Sequence, residues 1–386
     1  MLPGVIERFD RLPDPRRVAS CRHRLTVLLV YAILLFLWQF ASRRAANQAL
    51  SRPTAWEALR QVFPMLDTVP HTDTIARVLE RLDPAEVEAV LLETIRRLLR
   101  KRKFRHWLGQ RRYLVAIDGS QKWSHDTPWT PAALHRKTGS DTTSYPVYVV
   151  EAILTGPQGV SIPLLAEFCE NAADAEPETK QDCELKAFYR LAARLKATFP
   201  HMPLCVLRDG LYPNGPLMAL CRQYHWDFLI VLQDGNLPEF QAEAHGLHKL
   251  LPEQPRQSRW GDRPQTFWWV NQIPYEWRDA ETGGRRHLVV HYVVCEERWM
   301  EQDELRHRRW VWVSGQPLTA QNVVARCNDM ARCRWDIEEH ILVEKHRGYH
   351  YEHLYSQQWN AIKNWHTVMR LAHLLNVLIL GSVALL

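Results

Sequence analysis

The stretch YLVAIDGS, residues 113–120, is the first segment of the chain with the pattern of a buried β-strand. Its apolar, β-prone residues end in the pair Asp118–Gly119, and turn residues of this kind bound strands. Two more β-rich runs follow, SYPVYVVEAILT and VSIPLLAEFCEN, joined by a Gly-Pro-Gln-Gly turn at residues 156–159. The sequence therefore predicts a three-stranded antiparallel meander that begins at Tyr113.

Helices and strands alternate after this meander. The pattern predicts a helix at 180–199, the strand PLCVLRDG, a helix at 215–224 and the strand WDFLIVL, and helices packed on such strands form a mixed α/β layer. The remaining segments are helical, or aromatic and β-branched. The predicted parts are an all-α N-terminal region at 1–110, the first part of an α/β core at 111–235, a β-rich insertion at 236–320, and the second part of the core at 321–386.

The overall composition is that of a globular protein, and its positive net charge favours an anionic partner. Of the 386 residues, 46% are hydrophobic and 24% charged, and the formal net charge is +6. Eight cysteines without a CxxC pair indicate a reduced, cytoplasmic protein. The apolar run at 25–40 has 16 residues, fewer than the roughly 20 needed to span a bilayer. We expect a buried helix there and no membrane association, with a membrane protein as the alternative.

A dense basic run lies at residues 96–105. Seven of its ten residues are Lys or Arg. A charge run is often only a solvated face, but a single-signed run of this density favours contact with phosphates. The predicted DNA-contacting residues of the run are Arg96, Arg97, Arg100, Lys101, Arg102, Lys103 and Arg105.

Two aspartates stand at the predicted ends of apolar strands. Asp118 ends the strand in AIDGS, and Asp209 ends the strand in VLRDGLYP. Each Asp-Gly pair is also a common turn sequence, so either one alone is weak evidence. If the two strands are neighbours, the carboxylates repel each other unless a cation lies between them. Oxygen ligands of this kind select Mg²⁺ or Mn²⁺.

A third carboxylate is predicted in the segment RWDIEEHILVEK, residues 334–345. On a regular helix, Glu338 and Lys345 lie within about 40° of Arg334, on the face turned toward the sheet. Glu339 lies about 100° further round and faces away. We predict Glu338 as the third metal ligand, with Arg334 and Lys345 beside the bound phosphate. The alternative is an ordinary Arg–Glu pair at i, i+4 spacing.

The rest of the helix circumference is taken by Asp336, Glu339, His340, Val343 and Glu344. On the regular wheel His340 and Glu344 lie about 120° and 80° away from Arg334. The sequence therefore assigns no role to either residue.

These residues and their surroundings resemble bacterial insertion-sequence transposases of the DDE type, in the branch with a β-rich insertion before the glutamate. The resemblance covers nearly the whole chain. Arg334, Glu338 and Lys345 match its Y-(2)-R-(3)-E-(6)-K signature. The motifs that carry it are AIDGSQKW, YVVEAILTGPQGVSIPLLAEF, KQDCELKAFYRLAARL, VLRDGLYPNGP, RCRWDIEEHILVEK and GYHYEHLYSQQWNAIKNW.

The resemblance implies an RNase H-like mixed sheet with helices, interrupted by the β-rich insertion and preceded by the all-α region. It implies two Mg²⁺ or Mn²⁺ ions held by Asp118, Asp209 and Glu338, which cleave and join DNA strands by two-metal phosphoryl transfer. It also implies double-stranded DNA as substrate, both element ends and target, with the helical region binding the ends. A homodimer would hold two ends together.

One position departs from the family signature. Its tyrosine falls on Ala331, so the excision of the element through hairpin ends is not implied for this chain. A DNA-binding protein that no longer transposes and a nuclease without joining activity are the alternatives. The family also places an insertion tryptophan against a flipped base, for which the candidates are Trp260, Trp268, Trp269 and Trp277. For each of them, packing in the core of the insertion is the alternative.

Overall fold

The predicted meander is confirmed in the computed structural model. Strand β1 (Tyr113–His125) pairs antiparallel with β3 (Thr142–Thr155), which pairs antiparallel with β4 (Ile162–Phe168), while the short β2 (Arg136–Thr138) pairs with the start of β3. The structure describes residues 2–17, 19, 21–64, 66, 68–128, 130–138, 142–157, 159, 161–171, 181–210, 213–250, 255–280 and 282–383.

Two parallel strands extend the meander on its other side. Strand β5 (Leu204–Arg208) lies beside β1, and β6 (Asp227–Val231) lies beside β5. The connections run through helices α7 (Glu184–Thr198) and α8 (Gly215–Gln223), as the alternating pattern predicts. The strand order of this part is β4-β3-β1-β5-β6, a mixed sheet.

The strands after β6 continue the same sheet. Helix α9 (Pro238–Leu250) is followed by β7 (Arg256–Trp260), β8 (Arg263–Arg278), β9 (Arg285–Glu301) and β10 (Glu304–Ser314). Strand β10 pairs antiparallel with β6, and β9, β8 and β7 follow in order. The β-rich character of this segment is confirmed, and the structure adds that its strands are hydrogen-bonded to the central sheet.

The N-terminal part is helical, as the composition predicts. Its helices are α1 (Leu2–Phe9), α2 (Leu25–Leu37), α3 (Arg43–Leu50), α4 (Pro53–Val62), α5 (Thr72–Leu79) and α6 (Pro84–Arg100). Helix α2 is almost wholly buried and packs against α12 (Trp359–Val383) near the C-terminus. Among the described helices, none combines the length and the apolar character needed to cross a membrane.

Residues 323–347 form a continuous but irregular helical segment on one face of the sheet. It contains α10 (Val323–Ala325), a π turn (Arg326–Met330), a 3₁₀ turn (Ala331–Trp335), α11 (Asp336–Leu342) and a second π turn (Val343–Arg347). The regular helix predicted for 334–345 is therefore wrong in detail. Changes of pitch rotate side chains away from the positions of an ideal wheel.

Two residues that the regular wheel places away from Arg334 are buried. His340 is 2% exposed and Glu344 is fully buried. The segment packs against the sheet on one side, and the ring of His373 from α12 stacks on His340 at 4.2 Å. A helix held between two neighbours has two buried faces, and a single hydrophobic stripe cannot describe it.

A buried ion pair fixes the start of this segment to the sheet. Arg326 donates two hydrogen bonds to Asp227, the first residue of β6, at 3.0 and 3.2 Å. Its guanidinium also donates to the hydroxyl of Ser314 at 2.8 Å. Arg326 is 2% exposed and Asp227 is fully buried, so the charge of Arg326 depends on this carboxylate. Arg112 is a more distant partner of the same carboxylate, at 3.8 Å.

We expect Asp227→Leu to lower the free energy of unfolding by about 3–5 kcal/mol, because the guanidinium of Arg326 stays buried without its carboxylate. The double variant Asp227→Leu with Arg326→Met should recover most of the loss, since an apolar pair can replace a buried ion pair. Urea unfolding followed by circular dichroism measures both. A double variant as unstable as the single one would contradict the assignment.

Candidate active site

The parallel pairing of β1 with β5 brings the two predicted aspartates to one level. Ala116 pairs with Leu207, so the same register carried two residues further places Asp118 beside Asp209. Asp209 directly follows β5, as predicted. The prediction that Asp118 ends its strand is wrong, because β1 runs on to His125. Asp118 lies instead beyond the last residue of β1 that pairs with β5, in the part of β1 that pairs only with β3.

Arg334 connects all three predicted carboxylates. Its Nη2 lies 3.1 Å from Oδ2 of Asp118 and 3.5 Å from Oδ2 of Asp209, and its Nη1 donates to Glu338. The Arg334 side chain is 7% exposed, whereas that of Glu338 is 50% exposed. The Arg–Glu pair at i, i+4 spacing is present, but it is one of three contacts that the same guanidinium makes with carboxylates.

The environment of Asp118 opposes a bare negative charge. Burial raises the pKa of Asp118 to about 6, while the positive charge of Arg334 opposes that rise and the negative charge of Asp209 adds to it. The backbone N–H of Gly119 donates to Oδ1 at 2.9 Å. Three carboxylates that already surround a cationic group, with only oxygen donors among them, fit Mg²⁺ or Mn²⁺.

Close packing explains the glycine that follows Asp118. A Cβ at Gly119 would lie 2.5 Å from Cδ of Glu184 and 2.6 Å from a ring carbon of Tyr148. Glu184 accepts from the hydroxyl of Tyr148 at 2.8 Å and from Arg208 at 3.4 Å. Glu184 is a buried acidic residue close to the site, and no sequence pattern singles it out.

The remaining charged residues of the helical segment have separate partners. Lys345 donates through Nζ to the carbonyl of Gln121 at 3.0 Å, so its ammonium lies over β1, three residues beyond Asp118. Glu339 is 58% exposed and binds Arg347 at 2.8 Å. The two adjacent glutamates therefore have different surroundings, Glu338 beside Arg334 and Glu339 in solvent.

A buried ionic network lies next to the carboxylate cluster. The Lys122 ammonium is 2.5 Å from Oε2 of Glu151 and 3.2 Å from Oε2 of Glu344. All three side chains are fully buried. His366 from α12 lies 3.2 Å from the other oxygen of Glu151. This network ties β1, β3, the helical segment and α12 together.

Three members of this region have the spacing of a metal site. The ligand atoms of His340, Glu344 and His373 lie within 4.8 Å of one another. Oε1 of Glu344 is 3.0 Å from His340 and 3.3 Å from His373, while Lys122 occupies its Oε2. Because both oxygens of Glu344 already have nitrogen partners, these three residues are part of the ionic network.

The basic run lies at the other end of the sheet from the carboxylates. Its seven predicted residues are all exposed. Arg96 donates to the carbonyl of Thr198, which ends α7 shortly before β5, at 3.1 Å. The N–H of Tyr113, the first residue of β1, donates to Pro203 at 2.8 Å. The run thus lies near the starting ends of β1 and β5, and the aspartates lie beyond the ends of their pairing.

Three of the four candidate tryptophans are held in packing contacts. Trp269 is 4% exposed and belongs to the core. The ring of Trp268 stacks on His248 at 4.2 Å. Trp277 lies so close to Gly215 that a Cβ there would be 2.2 Å from its ring.

Trp260 has a different environment near the helical segment. It is 41% exposed, and the guanidinium of Arg332 lies 4.8 Å from its ring centroid. Arg332 also lies 5.0 Å from the ring of Trp310 and forms an ion pair with the buried Glu297. Of the four candidates, Trp260 is the one with an exposed ring close to the segment that carries Arg334.

One comparison with known proteins concerns the N-terminal part of the chain. Residues 6–95 match the family model described as DDE_Tnp_1-associated, which suggests a transposase of the DDE type. The chain is also 31% identical over 94 residues to "Uncharacterized protein in dhlA 3'region" from Xanthobacter autotrophicus. That similarity covers 24% of this chain and 31% of the relative, so it spans about a third of the relative's length.

We expect Gly119→Ala to lower the free energy of unfolding by about 1–3 kcal/mol, because the added methyl group overlaps Glu184 and Tyr148. The matched control is Gly246→Ala in α9, where no atom lies within 4 Å of the added Cβ. That change should stabilise the protein by about 0.5–1 kcal/mol, as alanine is favoured within helices. Thermal and urea unfolding give both values, and equal effects at the two sites would refute the packing argument.

Proposed function

We propose that this protein is a DDE-type insertion-sequence transposase that cleaves DNA strands at element ends and joins them to target DNA. The observation that carries the proposal is the cluster of Asp118, Asp209 and Glu338 around the guanidinium of Arg334. These residues come from β1, the end of β5 and α11, which lie far apart in the sequence. The N-terminal match to the DDE_Tnp_1-associated domain supports the same class.

The order of the strands supports an RNase H-like core. An antiparallel meander, β4-β3-β1, continues into the parallel strands β5 and β6. The two aspartates come from β1 and from the end of its parallel neighbour, and the glutamate comes from a helix on the same sheet. We propose that β7–β10 are the family's β-rich insertion, joined to this core through β10 and β6.

Each residue of the site has a role in this proposal. Asp118, Asp209 and Glu338 would hold two Mg²⁺ or Mn²⁺ ions. When bound, such ions activate a water or a 3′-hydroxyl and stabilise the leaving oxygen. Arg334 and Lys345 bind phosphate oxygens of the strand being cut, Arg334 through its planar fork and Lys345 as a point charge. The buried Lys122 network holds the helix that carries them.

The proposed substrate is double-stranded DNA, bound in the cytoplasm by a homodimer that pairs two element ends. The exposed basic run supports phosphate contacts at 96–105. From Tyr113 to Asp118 a strand advances about 17 Å, so the run and the cluster lie toward opposite ends of this part of β1.

Ala331 favours an alternative for part of the reaction. It stands where the family signature has tyrosine and is 1% exposed in the core between the helical segment and the sheet. A DNA-binding protein that no longer transposes, or a nuclease that cuts without joining, would retain the fold and lack later steps. Incubation with labelled element ends and a plasmid target separates these cases, because only a transposase forms the joined product.

We expect Asp118→Ala, Asp209→Ala and Glu338→Gln each to reduce Mg²⁺-dependent cleavage of element-end DNA by about 10²- to 10³-fold or more, since each removes a group that stabilises developing charge. DNA binding in a gel-shift assay should persist. Glu339→Gln is the matched control, because Glu339 is exposed and pairs with Arg347. Full cleavage by the three variants, or equal loss in the control, would contradict the site.

We expect the double variant Lys101→Ala with Lys103→Ala to weaken DNA binding and to reduce the slope of log K against log salt by about 2, because each lost phosphate contact contributes about 0.9. The control is Arg52→Ala with Arg60→Ala, which removes two exposed charges elsewhere in the helical region. Fluorescence anisotropy at several salt concentrations gives the slopes. Equal slopes for the two double variants would argue against a role for the run.

A further inference from the structure

We propose that Arg334 occupies the cation site in the free protein, so that metal ions bind fully only after DNA phosphate draws this guanidinium away. The inference rests on the proposed function and concerns the regulation of the same site. It assigns Arg334 two alternative partners, the carboxylate cluster before DNA arrives and the phosphate afterwards.

The position of the guanidinium is the first argument. Arg334 lies within 3.5 Å of both aspartates through Nη2 and binds Glu338 through Nη1. A Mg²⁺ ion needs carboxylate oxygens at about 2.0–2.1 Å and a full octahedral shell. The same three carboxylates cannot surround an ion at that distance while they all bind the guanidinium. One cationic group must replace the other.

The charges of the cluster give the second argument. Three carboxylates and one guanidinium leave an excess of negative charge, which attracts a divalent ion. Two divalent ions in addition to Arg334 would give an excess of positive charge in a site where Arg334 is only 7% exposed. A DNA phosphate brings the negative charge that this state lacks, and its oxygens suit the fork of an arginine.

Linkage then requires that metal and DNA help each other to bind. If phosphate releases Arg334 from the carboxylates, DNA must tighten metal binding by the same factor by which metal tightens DNA binding. Couplings of this kind are typically about 5- to 150-fold. The free protein would hold metal weakly, and the full set of ions would assemble only on bound DNA.

The first test measures Mn²⁺ binding to the free protein by electron paramagnetic resonance. We expect Arg334→Gln to bind Mn²⁺ at least about fivefold more tightly than the natural chain. Lys345→Gln is the control for charge alone, because Lys345 is on the same segment but donates to the carbonyl of Gln121. It should change the affinity less than twofold. Unchanged or weaker binding by Arg334→Gln, or equal tightening in both variants, would overturn the inference.

A second variant protects the test against loss of folding. Arg334→Lys keeps a positive charge, but one ammonium lacks the fork that reaches three carboxylates. We expect it to bind Mn²⁺ more tightly than the natural chain, and an affinity no higher than that of the natural chain would also overturn the inference. Thermal unfolding adds a readout, because Mn²⁺ should raise the Tm of Arg334→Gln more than that of the natural chain.

The final experiment repeats the Mn²⁺ titration with a 25-base-pair duplex of mixed sequence at low salt, with a DNA-only blank. DNA should tighten Mn²⁺ binding to the natural chain about fivefold or more and leave Arg334→Gln nearly unchanged. Equal tightening in both proteins would refute the coupling. The result is independent of the proposed reaction: a protein without cleavage activity could still show the coupling, and an active transposase could lack it.

Discussion

The position of the helical segment 323–347 depends on the buried ion pairs of the Lys122 ammonium. This ammonium lies between Glu151 and Glu344, at 2.5 and 3.2 Å, and all three side chains are fully buried. Burial alone would lower the pKa of Lys122, but the two carboxylates outweigh it, so its pKa is raised and it stays charged. Without the ammonium, two carboxylates would face each other away from water. A buried ionic network of this kind adds little to the free energy of unfolding, but it permits only one position of the helical segment on the sheet.

Two further ionic contacts place the same segment. Arg326 binds β6, Arg334 reaches β1 and β5, and Glu344 meets Lys122 on β1. The first and last of these residues are separated by roughly 27 Å along a helix. Each of the three attached residues lies in an irregular turn: Arg326 in the first π turn, Arg334 in the 3₁₀ turn and Glu344 in the second π turn. The ionic attachments to the sheet thus coincide with the changes of pitch along the segment.

Local chemistry explains which parts of this arrangement are predictable from the sequence. Asp118 and Asp209 are recognisable because an acidic residue interrupts an apolar strand, and Glu338 because i, i+4 spacing sets its direction. Their proximity is established by the parallel register of β1 and β5. Lys122 and Glu344 are 222 residues apart, and no local pattern indicates that a buried lysine will meet a glutamate to which the sequence assigns no role. Pairing over such a distance is a property of the folded chain.

The packing of the N-terminal helices bears on the proposed path of DNA to the carboxylates. Helix α12 contacts α2, α5 and α6, and Asn364 donates to the carbonyls of Leu79 and Leu82 at 2.7 and 3.0 Å. The basic run at 96–105 begins in the last turns of α6, which packs against α12, and continues beyond the end of α6. Because the run lies at the opposite end of β1, a duplex bound there under the proposed function must cross the sheet to reach Arg334, or continue to the cluster of a second copy.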